Sequence, residues 1–173
     1  MKILFLVIFS FLLFIVNPVV SNQKIVFINM QKVLETSNTG SSILKQLNDI
    51  NNKNLLFLKQ EEKKFKEKET KLISQKNIIS ENDFQNKIND LKIEINKYNQ
   101  DRKKIIKDFN KLQVDNTNKL LQLINPIIVK FSNDKEISII LQKKDLIIGK
   151  SQLDITDEII KIINDNIKEF KVK

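Results

Sequence analysis

Charged side chains supply nearly all the reactive groups of this sequence: 30 Lys and Arg and 21 Asp and Glu, with no His and no Cys. Without His or Cys, the common nucleophile–base pairs and the usual ligand sets of zinc are ruled out. Only two glycines are present, Gly40 and Gly149, so no glycine-rich loop exists to cradle a phosphate. Carboxylates are plentiful, and two groups serve as examples. Glu61 and Glu62 sit in a run where acids and lysines interleave, the composition of a solvated helix face. Asp154 with Asp157 and Glu158 stands where a last helix begins, and negative charge there answers the helix dipole. Asp154 reads as a cap rather than as a general acid. Neither a catalytic set nor a cofactor or metal site is expected. What remains is non-covalent holding: a basic run of Lys63, Lys64, Lys66, Lys68, Lys71 and Lys76, with the apolar Leu56, Phe57, Ile73 and Ile106 standing among charges.

These groups lie within residues 43–124, a stretch with neither Gly nor Pro. Its apolar beat runs Phe84, Ile88, Leu91, Ile95, Tyr98, Ile105, Phe109 and Leu112, in steps of four and three, with Arg102 in one polar slot. That spacing keeps a narrow stripe on one side of a helix, as in a coiled-coil seam. A weaker stripe at steps of seven precedes it: Leu44, Leu58, Phe65, Leu72 and Ile79, interrupted by Asn51. Ser80-Glu-Asn-Asp83 supplies a helix-start signal directly before Phe84. Two long helices, one to about Ile79 and one from Phe84, are therefore predicted to fold back as an antiparallel hairpin. Residues whose numbers sum to about 160 should face each other: Leu72 with Ile88, Phe65 with Ile95, Leu58 with Arg102, Leu55 with Ile105. Some forty residues reach roughly 60 Å. The lysine-rich end of this arm has few apolar contacts and is expected to be flexible.

Leu56, Phe57, Ile73 and Ile106 fall off the seam. They either widen the hairpin core, pack where the arm meets the rest of the chain, or touch a non-native polypeptide. The lysines form a solvated face, or attract acidic segments or lipid head groups.

Outside the arm, the first residues read as a secretory leader. Lys2 is followed by an apolar run from Ile3 to Val16, then Asn17-Pro18 and small residues, with cleavage expected after Ser21. The formal charge is +9, one less without Lys2. Such a charge favours acidic partners, and export argues against nucleic acid. Export also means an oxidising compartment, where this chain, with no Cys, has no disulfide to stabilise it.

Lys24 to Asn29 reads as a strand and Met30 to Thr36 as a short helix, broken or restarted around Gly40. After the arm, Pro126 is expected to kink or end the helix, which Ser132-Asn-Asp134 closes. Ile137–Leu141 and Leu146–Gly149 read as a strand hairpin, and a last helix carries Ile159, Ile160, Ile162, Ile163, Ile167 and Phe170. The fold class is thus α+β and mostly helical. A small β body forms from both chain ends (residues 22–42 and 125–173), with the helical hairpin 43–124 inserted between them in one domain. So small a body without disulfides is marginal alone, which points to self-association.

The opening Lys24-Ile-Val-Phe-Ile-Asn-Met-Gln-Lys-Val-Leu-Glu-Thr-Ser37 with Gly40 resembles the start of the Skp/OmpH periplasmic chaperones. Ile137–Leu141, Leu146–Gly149 and Asp154-Ile-Thr-Asp157 resemble their closing run, so the likeness spans the mature chain. It implies a jellyfish-shaped homotrimer with a shared β body and helical tentacles around a cavity. It also implies an ATP-independent holdase for unfolded outer-membrane β-barrel proteins. Anionic lipid or lipopolysaccharide is a further partner the resemblance suggests, with no residue set carried over. The competing expectation is an exported coiled-coil scaffold that binds one folded envelope partner.

Overall fold

The structure is a computed structural model describing residues 23–173. The expected leader, residues 1–21, lies outside the described residues. In chain order the elements are β1 (Lys24–Ile28), α1 (Met30–Thr36), α2 (Asn38–Ser74), α3 (Glu81–Asp134), β2 (Ile137–Gln142) and α4 (Thr156–Asn166). Short 3-10 turns occupy Lys143–Asp145 and Ser151–Leu153. The α+β, mostly helical class holds, with a two-stranded sheet among the described residues.

Polar caps separate the first helices. Asn29 accepts a 2.9 Å bond from the Lys32 amide and starts α1. Buried Ser37 both ends α1, donating to the Val33 carbonyl, and starts α2, its hydroxyl accepting from the Gly40 amide at 3.2 Å. Gly40 thus marks the entry of α2. A Cβ there would lie 1.8 Å from the Leu34 carbonyl oxygen, so the two helices approach more closely than any side chain permits.

The 37 residues of α2 span about 55 Å. The chain turns after Ser74 and restarts at Ser80, whose hydroxyl accepts from the Asp83 amide at 3.1 Å and donates to its carboxylate at 2.6 Å. On α3 the expected seam is the observed one: Phe84 is buried, and Ile88, Leu91, Ile95, Tyr98, Ile105, Phe109 and Leu112 are half-buried. The polar slot, Arg102, stays exposed and reaches Glu62 at 3.9 Å. Cross-links between the helices follow the expected register. The rings of Phe65 and Tyr98 lie 5.3 Å apart. The Tyr98 hydroxyl donates to Glu62 at 2.9 Å, Lys87 reaches Gln75 at 3.3 Å, and Lys68 pairs with Glu94.

The seam of α2 departs from expectation at its root. Leu44 is exposed, and Ile43 and Leu47 are the buried residues there. Leu55, expected against Ile105, is also exposed. A second row of α2, Leu47, Asn54, Glu61 and Gln75, is buried or half-buried at the interface. Leu55 lies one residue off that row. Because the row is mostly polar, apolar spacing alone did not reveal it.

The core lies where the arm enters the body. Val26, Ile28, Val33, Ile43, Leu47, Leu120, Ile124, Phe131, Ile137, Ile155, Ile159 and Ile163 form one buried cluster. Each such aliphatic side chain contributes about 1.5–3 kcal/mol on burial. Pro126 neither ends α3 nor interrupts its assignment, for the helix runs to Asp134 as the closing signal suggested.

The expected hairpin of Ile137–Leu141 with Leu146–Gly149 is not formed. Instead β1 and β2 pair in parallel, Ile25 with Ile139 and Phe27 with Leu141. A parallel pair needs a crossover, and the whole arm is that crossover. Residues 146–149 form no strand; Gly149 passes over the face of β1, where a Cβ would lie 2.6 Å from the Phe27 ring. On its other side β1 is flanked by Asp154 and Ile155, the Ile155 amide donating to the Phe27 carbonyl at 3.0 Å. The last helix also stops early, at Asn166, so Ile167 and Phe170 belong to an extended tail and not to its apolar face.

Candidate functional site on the helical arm

Leu56, Phe57, Ile73 and Ile106 are all exposed, between 48% and 64%. None of them widens the hairpin core. By the heptad register Leu56 lies opposite the seam and Phe57 beside it. The hairpin register sets Ile106 level with Leu56 and Phe57, while Ile73 stands seventeen residues further along α2, about 26 Å toward the tip. The structure therefore brings Ile106 to the level of the Leu56–Phe57 pair and leaves Ile73 apart.

The lysines divide by partner. Lys64 pairs with Glu61 at 2.6 Å, Lys63 with Glu67 at 3.8 Å, and Lys68 with Glu94 across the hairpin. Lys66, Lys71 and Lys76 have no ion-pair partner among the described residues. Exposed pairs of this kind are worth little, typically under about 1 kcal/mol. Their positive ends remain available to an incoming acidic group. Tyr98 is the arm's one perturbed acid: burial first, then its bond to the Glu62 carboxylate, raises its phenol above the ordinary value. It stays a neutral donor that ties the two helices.

Four further exposed apolar residues on the arm escaped the sequence reading: Ile78 at the turn, Ile93, Val114 and Leu123. Ile93 sits between the seam residues Leu91 and Ile95, so its place off the stripe was available as a signal. The arm thus offers single apolar spots, separated by charges, along both helices and no enclosed pocket that gathers them. Such a surface can make many weak contacts with an extended apolar chain.

The body presents a different surface. Ile25, Ile139 and Leu141 are exposed on the outer face of the sheet, and Ile147 and Ile148 are exposed almost completely. Beside them, Met30, Leu34, Ile43, Leu44, Leu47 and Leu120 line a hollow of about 510 Å³. Among the described residues no cluster of acids has the arrangement of a metal site, and no helix is long and apolar enough to cross a membrane. At Asp154, partial burial works to raise the pKa, but bonds from Lys143 and from the hydroxyl and amide of Thr156 outweigh it, and the carboxyl lies below its ordinary value. Asp154 is not the cap residue that the sequence suggests: it stands one position before the N-cap Ile155, which has no side-chain cap bond, and its Oδ1 accepts from the Thr156 amide at 3.0 Å.

A small α+β body from which a long, basic helical hairpin projects defines the class of fold. The family is equally definite: the model of the OmpH-like outer membrane protein family matches residues 24–163, and the chain belongs to that family. Its fold is similar to the crystal structure of a protein of Caulobacter crescentus described as an OmpH-like outer membrane chaperone. The TM-score is 0.80 at 15% identity, covering 86% of this chain and 88% of that one. No curated protein matches the chain.

Proposed function

We propose that this protein is an ATP-independent periplasmic holdase that keeps unfolded outer-membrane β-barrel proteins from aggregating. The observation that carries the reading is the arm: exposed Leu56, Phe57, Ile73 and Ile106, spaced among lysines of which Lys66, Lys71 and Lys76 have no ion-pair partner among the described residues. An unfolded barrel strand alternates apolar and polar residues, so it needs scattered weak contacts and no fixed pocket. Family membership and the description of the Caulobacter protein as a chaperone support the same reading.

In this reading residues 1–21 direct export and residues 22–173 are one domain, with body 22–42 and 125–173 and arm 43–124. Three copies join through their bodies. Exposed Ile25, Ile139 and Leu141 and the Ile147–Ile148 pair suit that contact, and they sit beside β2, which pairs with β1 alone among the described residues. Joined arms raise the effective concentration of one another's weak contacts. Anionic lipid or lipopolysaccharide is a secondary partner for the unpaired lysines.

The test is light scattering of an unfolded barrel protein diluted from urea, with and without residues 22–173 and without ATP. Suppression near one trimer per client is expected. Unchanged aggregation at several-fold excess, with a stable stoichiometric complex formed instead with a folded envelope protein, would establish the scaffold reading.

A further inference from the structure

After α4 the chain does not trail away. Residues 167–173 run along the root of the arm, and side chains of α2 and α3 hold their backbone. Thr39 donates its hydroxyl to the Ile167 carbonyl at 3.2 Å. Gln46 makes a two-point clamp: its amide nitrogen donates to the Phe170 carbonyl at 3.0 Å, and its oxygen accepts from the Val172 amide at 3.1 Å. Asn116, fully buried, repeats the arrangement on Lys173, donating to its main-chain oxygen and accepting from its amide, both at 3.3 Å. Ile167, Phe170 and Val172 pack against the core. By contrast, Lys168, Glu169 and Lys171 form no ion pair among the described residues.

The tail is therefore held by features that any extended chain possesses: backbone donors and acceptors, with apolar side chains at intervals. A charged group also takes part, the Lys119 ammonium donating to the Lys173 main-chain oxygen at 3.4 Å, but it meets backbone and no charged side chain of the tail. Side-chain amides that bind backbone in this way do what the edge of a sheet does for an added strand, but from a helical surface. We propose that the groove between α2 and α3 at Gln46 and Asn116 is a binding site for extended, sequence-tolerant polypeptide. The chain's own residues 167–173 occupy it as an intramolecular stand-in. An incoming client segment displaces the tail, so the arm root becomes a second holding site gated by the tail. This step rests on the holdase reading only for the identity of the client.

The test uses the full chain in two forms, wild type and Phe170→Asp/Val172→Asp, in which the tail loses its apolar anchors. The probe is a fluorescein-labelled peptide with the sequence of residues 167–173, and a second with the same apolar spacing but its charges reversed. By fluorescence anisotropy both peptides are expected to bind the released form at least about tenfold more tightly than the wild type, since a tethered tail competes at high effective concentration. Adding Gln46→Ala to the released form is expected to remove that gain. No binding by a released form of unchanged helicity, or binding of the self-sequence peptide alone, overturns the proposal.

A second measurement needs no variant. When unfolded barrel protein is added to the wild type, hydrogen exchange at Val172 and Lys173 should accelerate. Unchanged exchange while aggregation is suppressed sinks the groove and spares the holdase. Peptide binding without suppression does the reverse.

Discussion

Gly40 has no room for a side chain, because a Cβ there would lie 1.8 Å from the Leu34 carbonyl oxygen, a backbone atom that cannot swing aside. Gly40→Ala is expected to cost about 3 kcal/mol, the upper end of overpacking penalties, read as a lower midpoint in urea followed by circular dichroism. Asp154 makes a pH prediction. Its carboxyl titrates below the ordinary value in the folded chain, because the bonds from Lys143 and Thr156 outweigh partial burial. The unfolded chain therefore binds that proton more readily. The stabilisation is complete above the ordinary carboxylate value of about 3.9 and is lost as pH falls through the lower folded value. Asp154→Asn should be less stable than the wild type at neutral pH, with the gap closing below about pH 4 in urea titrations. A gap that persists at the acid end would mean the carboxylate charge is not what matters there. That Asp154 stands at the start of α4 was readable from its place before Ile155, though the N-cap position itself falls to Ile155. The Lys143 partner of Asp154, eleven residues away on a 3-10 turn, was not.

Elements differ in how openly the sequence states them. The α3 seam was plain because every apolar slot from Phe84 to Leu112 is filled and only Arg102 breaks it. The α2 seam was half hidden, since its second row is largely Asn, Glu and Gln. The strand hairpin was misread for a physical reason. Leu146-Ile-Ile has the composition of a strand, but the partner of β2 is β1, joined to it through the entire arm, and no local signal reports so distant a pairing. The tail was read as helix because Ile167 and Phe170 continue the α4 spacing. What stops the helix is bonding to Thr39 and Gln46, far away in sequence. At the arm's turn, Ser80→Ala should cost about 1 kcal/mol locally. The expected signature is faster amide exchange across Gln75–Asp83 with the global melting temperature little changed. A large drop in melting temperature would show that the turn is part of the global folding unit.

At the scale of the molecule, burial is concentrated at the junction of arm and body, and exposure along the arm. That division assigns stability to one end and contact to the other. Substitutions on the arm should therefore change holding without changing the fold, while in the proposed trimer the body, with Ile139 and Leu141 exposed, would set how many arms act together. The candidate contact residues were found in the sequence as apolar residues off a heptad, and the structure leaves all four exposed. Their action on a client is the central claim. The direct measurement is aggregation suppression by a variant carrying Leu56→Ser, Phe57→Ser, Ile73→Ser and Ile106→Ser together, with helicity checked beside it. The account predicts unchanged helicity and at least about a tenfold larger amount of protein needed to keep an unfolded barrel protein in solution. Full suppression at the wild-type ratio would contradict it and move the holding surface away from these residues.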